Sequence, residues 1–451
     1  MKRLWTLAMA GGMLAAAADS TLWYRQPAAN WNEALPIGNG RLGAMVFGGV
    51  AQEHLQLNED TIWAGEKRDR SNPDGNPQAV AEIRKLLFAG KVKEAEALAQ
   101  RTMIAVPDRM PQYQPLGDLR IAFTDHAAVP IKDVQDYRRE LNIDTAIARV
   151  TYRVGGARCT REVFSTAVDQ AIVIRLECSE PGRISFRATM DREMDAKARG
   201  FGFGVILEGE AIPRDQRHAR EPKVGVKFQG VLTVVPEGGL IRLYGNEVAV
   251  VGANAATLFI TASTSFRPRD TTAPKKSYAQ LRADHVADYQ KLFRRVELNL
   301  GGVASNLPTD ERLKRVSEGH ADPQLMALYF QFGRYLLIAS SRPGTMAATL
   351  QGIWNDKLDP SWDSKYTINI NTEMNYWHAE TTSLSELAGP LFDLVDAARE
   401  NGRAVAKKLY GARGFVMHHN TDIWGDAVPI DGVRSGVWPM GGAWLSLHFW
   451  D

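Results

Sequence analysis

Three asparagines, a carboxylate and three large aromatics crowd into Lys365-Tyr-Thr-Ile-Asn-Ile-Asn-Thr-Glu-Met-Asn-Tyr-Trp377. Asn369 and Asn371 are two apart, so in an extended segment their side chains leave the same face and two amides converge on one small polar target, such as a water. An amide carbonyl accepts a hydrogen bond from water but cannot take its proton at neutral pH. The pair can therefore orient a nucleophile, and it needs a carboxylate nearby to activate it. The chemistry implied is assisted hydrolysis. The same spacing also serves structure, because either asparagine can cap a helix that starts near Thr372.

Four carboxylates lie close to this stretch in sequence. Glu373 falls at a helix start, where a negative charge suits the helix dipole, and Glu380 reads as a helix-surface residue. Asp422 and Asp426 follow His418-His-Asn-Thr421, and Asp422, set among neutral polar groups and an indole, is the better pocket candidate beside His419. Seven of the eleven tryptophans stand at or beyond Trp354 and none lies between Trp63 and Trp354. Indole offers a flat apolar face with a polar edge, which suits a sugar ring as well as a core. Trp354, Trp362, Trp377 and Trp424 are accordingly candidate substrate contacts, with core packing as the alternative for each.

The elements that must position these groups change character along the chain. From Leu22 to about Arg267 short β-rich runs such as Ala148–Val154, Ala171–Glu177 and Leu258–Ser263 alternate with Gly, Pro and Asn, the pattern of an antiparallel sandwich. A helical insertion is predicted over 79–99. Ser277 to Val296 has helical spacing, as do Leu325 to Leu336, ended near Pro343, and Leu391 to Leu409. The turn Gly38-Asn-Gly-Arg-Leu-Gly43 lacks the Lys-Ser/Thr of a phosphate-binding loop and is read as a tight backbone turn.

The net charge of +2, from 54 basic and 52 acidic residues, argues against nucleic acid or a polyanion as partner and suits a neutral substrate. No Cys cluster or His-Glu-x-x-His spacing marks a metal site, and the adjacent His418 and His419 point apart, so no metal or organic cofactor is expected. Lys2 and Arg3 precede an apolar run that ends in Ala16-Ala-Ala18, the layout of a cleaved export signal. The expectation is a secreted or periplasmic protein with no membrane segment after cleavage. In that compartment Cys159 and Cys178 can pair, or remain buried thiols. Nothing in the sequence fixes an oligomeric state.

Leu350-Gln-Gly-Ile-Trp-Asn355 and Tyr366–Trp377 closely resemble glycoside hydrolase family 95, the inverting α-L-fucosidases. So, in the family's order, do Trp31–Ala44, Leu57-Asn-Glu-Asp-Thr-Ile-Trp63, Tyr113-Gln-Pro-Leu-Gly-Asp118, Tyr137-Arg-Arg-Glu-Leu141 and His418-His-Asn-Thr-Asp-Ile-Trp-Gly425. The resemblance implies a signal peptide (1–18), an N-terminal β-sandwich (19–270), a helical linker (271–300) and the first part of an (α/α)6 barrel (301–451). It implies that Asn369 and Asn371 hold the attacking water and that a fucosylated oligosaccharide is the partner. The family's general acid is a glutamate in a later Ser-Pro-Glu-Asn-type segment, and no such segment occurs here. Because the chain stops within a helical pattern that nothing caps, the expectation is an incomplete barrel, the acid lying beyond Asp451. A second departure from the family pattern is His378, where many relatives have proline. The rival readings are an α-L-galactosidase of the same family and a non-catalytic carbohydrate-binding fragment. Sugar phosphorylases share the sandwich-plus-barrel plan, but no phosphate-binding set is legible here.

Overall fold

Strands whose side chains alternate between a core and solvent build two antiparallel sheets in the first part of the chain. The strand Gly117–Phe123 shows the pattern, burying every second residue. The structure is a computed structural model that describes residues 20–125, 133–214, 219–220, 222–303 and 305–450, so the segment read as an export signal lies outside the described residues. One sheet has nine strands, from Thr21–Tyr24 at one edge to Ala196–Phe201 at the other. The second has seven, from Leu240–Tyr244 to Leu35–Gly38. Cys159 and Cys178 face each other across neighbouring strands and are joined as a disulfide, which decides between the two readings of the pair.

The predicted insertion is two helices, α1 (Pro77–Phe88) and α2 (Val92–Thr102), split where Gly90 takes a φ of 73°. Asn76 caps α1 by accepting from Ala79 N at 2.9 Å, and Pro77 occupies the first turn, where its missing N–H costs nothing. After the last sandwich strand ends at Thr264, Ser277 caps α3 (Tyr278–Phe293). This helix lies on the nine-stranded sheet, with Tyr289 donating its hydroxyl to Ile143 O at 2.7 Å and the His285 ring 3.0 Å from Thr145 O. Further along the chain lies α4 (Thr309–Ser317). The long α5 (Pro323–Ser340) is capped by Asp322, which accepts from Leu325 N at 2.9 Å. After it come α6 (Asn371–Tyr376), α7 (His378–Thr381), α8 (Gly389–Tyr410) and the short α9 (Val433–Gly436) and α10 (Gly441–Leu445). Gly411 closes α8 with a φ of 61° and an N–H turned back to Lys407 O.

Sheets and helices share one continuous apolar core, running from Leu42, Leu57 and Trp63 to Ile353, Tyr366 and Leu391. Polar groups of the sandwich also pin the loop that precedes α6. Asn58 Nδ2 and Gln56 Nε2 each donate to Asn355 O at 2.8 Å, and Asn355 Nδ2 donates to Tyr113 O at 2.9 Å. The Tyr113 hydroxyl donates to Ile353 O at 2.8 Å, and Met346 N donates to Asp60 Oδ2 at 2.7 Å. Trp63 stacks on Tyr366 with centroids 5.3 Å apart. The Leu57–Trp63 and Tyr113 motifs thus act as a buttress, satisfying backbone groups that burial would otherwise leave without partners. The Gly38–Gly43 turn belongs to the same joint. Gly40 N donates to Ala339 O at 2.8 Å, and a Cβ on Gly38 would lie 2.3 Å from that oxygen, so glycine is required by the close approach of α5.

Candidate active site

The asparagine pair does not sit on an extended strand as its spacing predicts. Only Tyr366–Thr367 is extended, pairing with Asn420–Thr421 as a two-stranded ribbon. Residues 368–370 then turn, and Asn371 opens α6. The residue preceding that helix is Ile370, and no side chain caps it, so neither asparagine is consumed as a cap. Both still face one open cleft of about 820 Å³. The third asparagine of the stretch is structural, since Asn375 Nδ2 donates to Thr349 O at 3.0 Å.

Around the pair the cleft is lined by Leu350, Gln351 and Thr367, by Ser361 and Trp362 on one side, and by His419, Asn420, Asp431, Ser435 and Arg109 on the other. The last group is a charge network. Arg109 Nη1 lies 2.6 Å from Asp431 Oδ1, the His419 ring Nε2 lies 3.2 Å from Asp431 Oδ2, and Lys365 Nζ lies 4.0 Å from the same oxygen. Burial alone would raise the Asp431 carboxyl. The His419 hydrogen bond and the charges of Lys365 and Arg109 outweigh it and hold the group at about 2. Asp431 is therefore ionised at neutral pH and balances Arg109, while Asp363 balances Lys365. Sequence reasoning missed Asp431, Arg109, Lys365 and Gln351.

Trp362 enters the cleft on an unusual turn. Trp362, Asp363 and Ser364 have φ of 50°, 60° and 45°, three consecutive left-handed residues without a glycine. Each such residue costs about 1–2 kcal/mol, so the neighbours must hold the turn. Lys365 Nζ does so from beneath, donating to Asp363 Oδ2 at 2.7 Å and to Trp362 O at 3.2 Å, with Lys365 and Asp363 both buried. From the sandwich, Tyr113 N donates to Asp363 O at 3.0 Å.

Of the six residues predicted to contact substrate, Trp362 and His419 line the cleft with the asparagines, and the other four do not. Trp354 is a core residue, 6% exposed, whose Nε1 donates to Ile37 O at 2.9 Å across the sandwich joint. Trp377 is half exposed on the helical surface, away from the cleft lining. Asp422 and Trp424 line a separate cavity of about 320 Å³ with Arg68, Arg70, Asn401 and Asp426. There Asp422 Oδ1 accepts from Trp424 N and Asp426 N at 2.9 and 3.2 Å, and Asp426 is 3.1 Å from Arg70 Nη1. Burial first, and then the Asp426 carboxylate, push the Asp422 carboxyl up. Glu373 also departs from expectation. It is fully buried rather than at a solvated helix end, neither oxygen is hydrogen-bonded among the described residues, and desolvation raises its carboxyl to about 7. No three His, Cys, Asp or Glu side chains among the described residues are grouped as a metal site requires.

Comparison with known proteins places this geometry. Residues 22–269 match the family described as "Glycosyl hydrolase family 65, N-terminal domain", and residues 277–451 match "Glycosyl hydrolase family 95 catalytic domain". The chain is 38% identical over 471 residues to "Alpha-L-fucosidase 2" of Arabidopsis thaliana, covering 95% of this chain and 55% of that protein. It is 30% identical over 479 residues to "Probable alpha-fucosidase A" of Aspergillus niger, covering 96% and 58%. The chain thus spans little more than half the length of these relatives. Among solved structures, one titled "Putative kojibiose phosphorylase from human microbiome" matches with a TM-score of 0.52 at 10% identity, over 92% of this chain and 54% of that one, a likeness of fold alone.

Proposed function

The chain belongs to glycosyl hydrolase family 95, and from that premise we propose that its cleft serves the hydrolysis of terminal α-L-fucose from glycans, with inversion at the anomeric carbon. The observation that carries the reading is the asparagine pair: Asn369 and Asn371 share one cleft, and neither caps the helix beside it. Two amides so placed orient a water for attack on the face opposite the leaving oxygen, and the proton that water gives up passes to a carboxylate, for which the ionised Asp431 is the acceptor lining the same cleft among the described residues. The balanced charge of the cleft wall suits a neutral sugar. The names of the curated relatives supply fucose as its identity.

Inversion also needs an acid to protonate the leaving oxygen. Asp431 is the one carboxylate lining the cleft among the described residues, and held at about 2 it has no proton to give. We assign the acid to a carboxyl group outside these 451 residues, read α3 as the helical linker and the helices from α4 onward as the opening of an (α/α)6 barrel, and retain export as the route to the substrate. A leaving group that needs no proton separates the two roles. The 451-residue chain should release fucose from 2,4-dinitrophenyl α-L-fucoside, with proton NMR showing the β-anomer first. Asn371→Ala should slow that release by about 100-fold. The α-anomer appearing first, an Asn371→Ala variant as fast as the parent, or no release at all would overturn the reading.

A further inference from the structure

We propose that Trp362 is the platform for the sugar that carries the fucose, so that the chain recognises a fucosyl disaccharide rather than fucose alone; this rests on the fucosidase reading above. The first ground is the backbone. Three left-handed residues in succession are held in place although the indole they present is 72% exposed, so its burial does not offset the conformation. In Trp63 and Trp354 the indole is buried and its packing explains it. Asp363 and Ser364 are buried and anchor the turn from the protein side, so the one residue of the three left open at the cleft is the indole, a side chain placed for a ligand.

The second ground is how the turn is held. Lys365 reaches the Trp362 carbonyl and the Asp363 carboxylate from below, while Tyr113 N holds the Asp363 carbonyl from the sandwich side. The indole therefore stands on a fixed base and needs little ordering when a ligand arrives. Lys365 and Asp363 are positioning residues that act through Trp362. The third ground is space. Asn369 and Asn371 mark where the anomeric carbon must lie, and a cleft of about 820 Å³ has room beyond one pyranose ring. The exposed indole is the large flat apolar face of the lining, and a pyranose whose axial hydrogens form an apolar face stacks on such a surface. A neutral hexopyranose next to the fucose is the ligand this combination fits.

Calorimetric titration of the full chain with L-fucose and with the S-linked analogue of α-L-fucosyl-(1,2)-galactose tests the assignment, the sulfur preventing turnover. The disaccharide should bind at least about tenfold more tightly than fucose, and Trp362→Ala should reduce that preference to about twofold or less. Trp362→Phe should keep most of it. The double variant Lys365→Met with Asp363→Asn removes both buried charges together, so it stays folded, and should lose the preference as Trp362→Ala does. Equal binding of the two sugars by the parent, or a preference that survives Trp362→Ala, overturns the platform. A preference that survives the double variant overturns the positioning role. If the parent binds neither sugar, the fucosidase reading itself fails.

Discussion

Two aspartates nine residues apart, Asp422 and Asp431, follow one short ribbon strand and are treated in opposite ways. Asp431 faces the cleft, where Arg109, His419 and Lys365 surround it, and it is held ionised. Asp422 faces the smaller cavity on the other side. It is fully desolvated next to the Asp426 carboxylate, with Arg70 engaged by Asp426, and its carboxyl is raised. Residue type is the same, but Asp422 is fully buried while Asp431 keeps a partly exposed side chain at the open cleft. Depth of burial and the sign of the nearest charge both differ. A buried carboxylate in this fold is therefore a strut where cations converge and a liability where another carboxylate does.

The severest way to break the comparison is to take away a cation. Lys365→Met leaves Asp363 charged and buried without its partner, and weakens the field on Asp431 as well. Removing one member of a buried pair costs about 3–5 kcal/mol, so urea denaturation at pH 7 should show a loss of that order. A loss below about 1 kcal/mol would mean that the pair is hydrated and the strut idea is wrong.

Asp431→Asn is the next step down. Its carboxyl is lowered from 3.8 unfolded to about 2 folded, so between those values the unfolded chain binds the proton more tightly. The stability it contributes is complete above pH 4 and disappears as pH falls to 2. The substitution should cost about 2–3 kcal/mol at pH 7 and little at pH 2. Denaturation midpoints of parent and variant across that range should converge in acid, and curves that stay parallel would contradict the network.

Which of these groups the sequence disclosed follows from how far apart the partners are. The α5 and α8 faces are written in residues a turn or two apart, and the sandwich strands alternate locally. The asparagine pair is likewise local, although the bend that opens α6 was not visible in its spacing. Arg109 meets Asp431 across 322 residues, and Tyr113 braces Asp363 from another domain. No periodicity reports contacts of that kind. The misplacement of Asp422 has a different cause. It is singled out because neutral polar groups and an indole surround it in sequence, and such a neighbourhood does not tell which of two cavities the side chain enters.

The smallest effect is the most discriminating, because its sign is reversed. Asp422 has a folded carboxyl raised to about 7 from 3.8, so between those values the folded chain holds a proton that the unfolded chain releases. Stability associated with it is full below pH 4 and is lost as pH rises through 7. Asn keeps the Oδ1 acceptor that Trp424 N and Asp426 N use, but cannot ionise. Part of the penalty remains with Asp426, which shares the charge. Asp422→Asn should therefore gain only about 1–2 kcal/mol at pH 8, and nothing at pH 3. The same conservative change thus stabilises the protein on one side of the ribbon and destabilises it on the other. If Asp422→Asn also lowers stability at pH 8, its carboxylate must be paid for by cations in the small cavity, and the contrast between the two faces disappears.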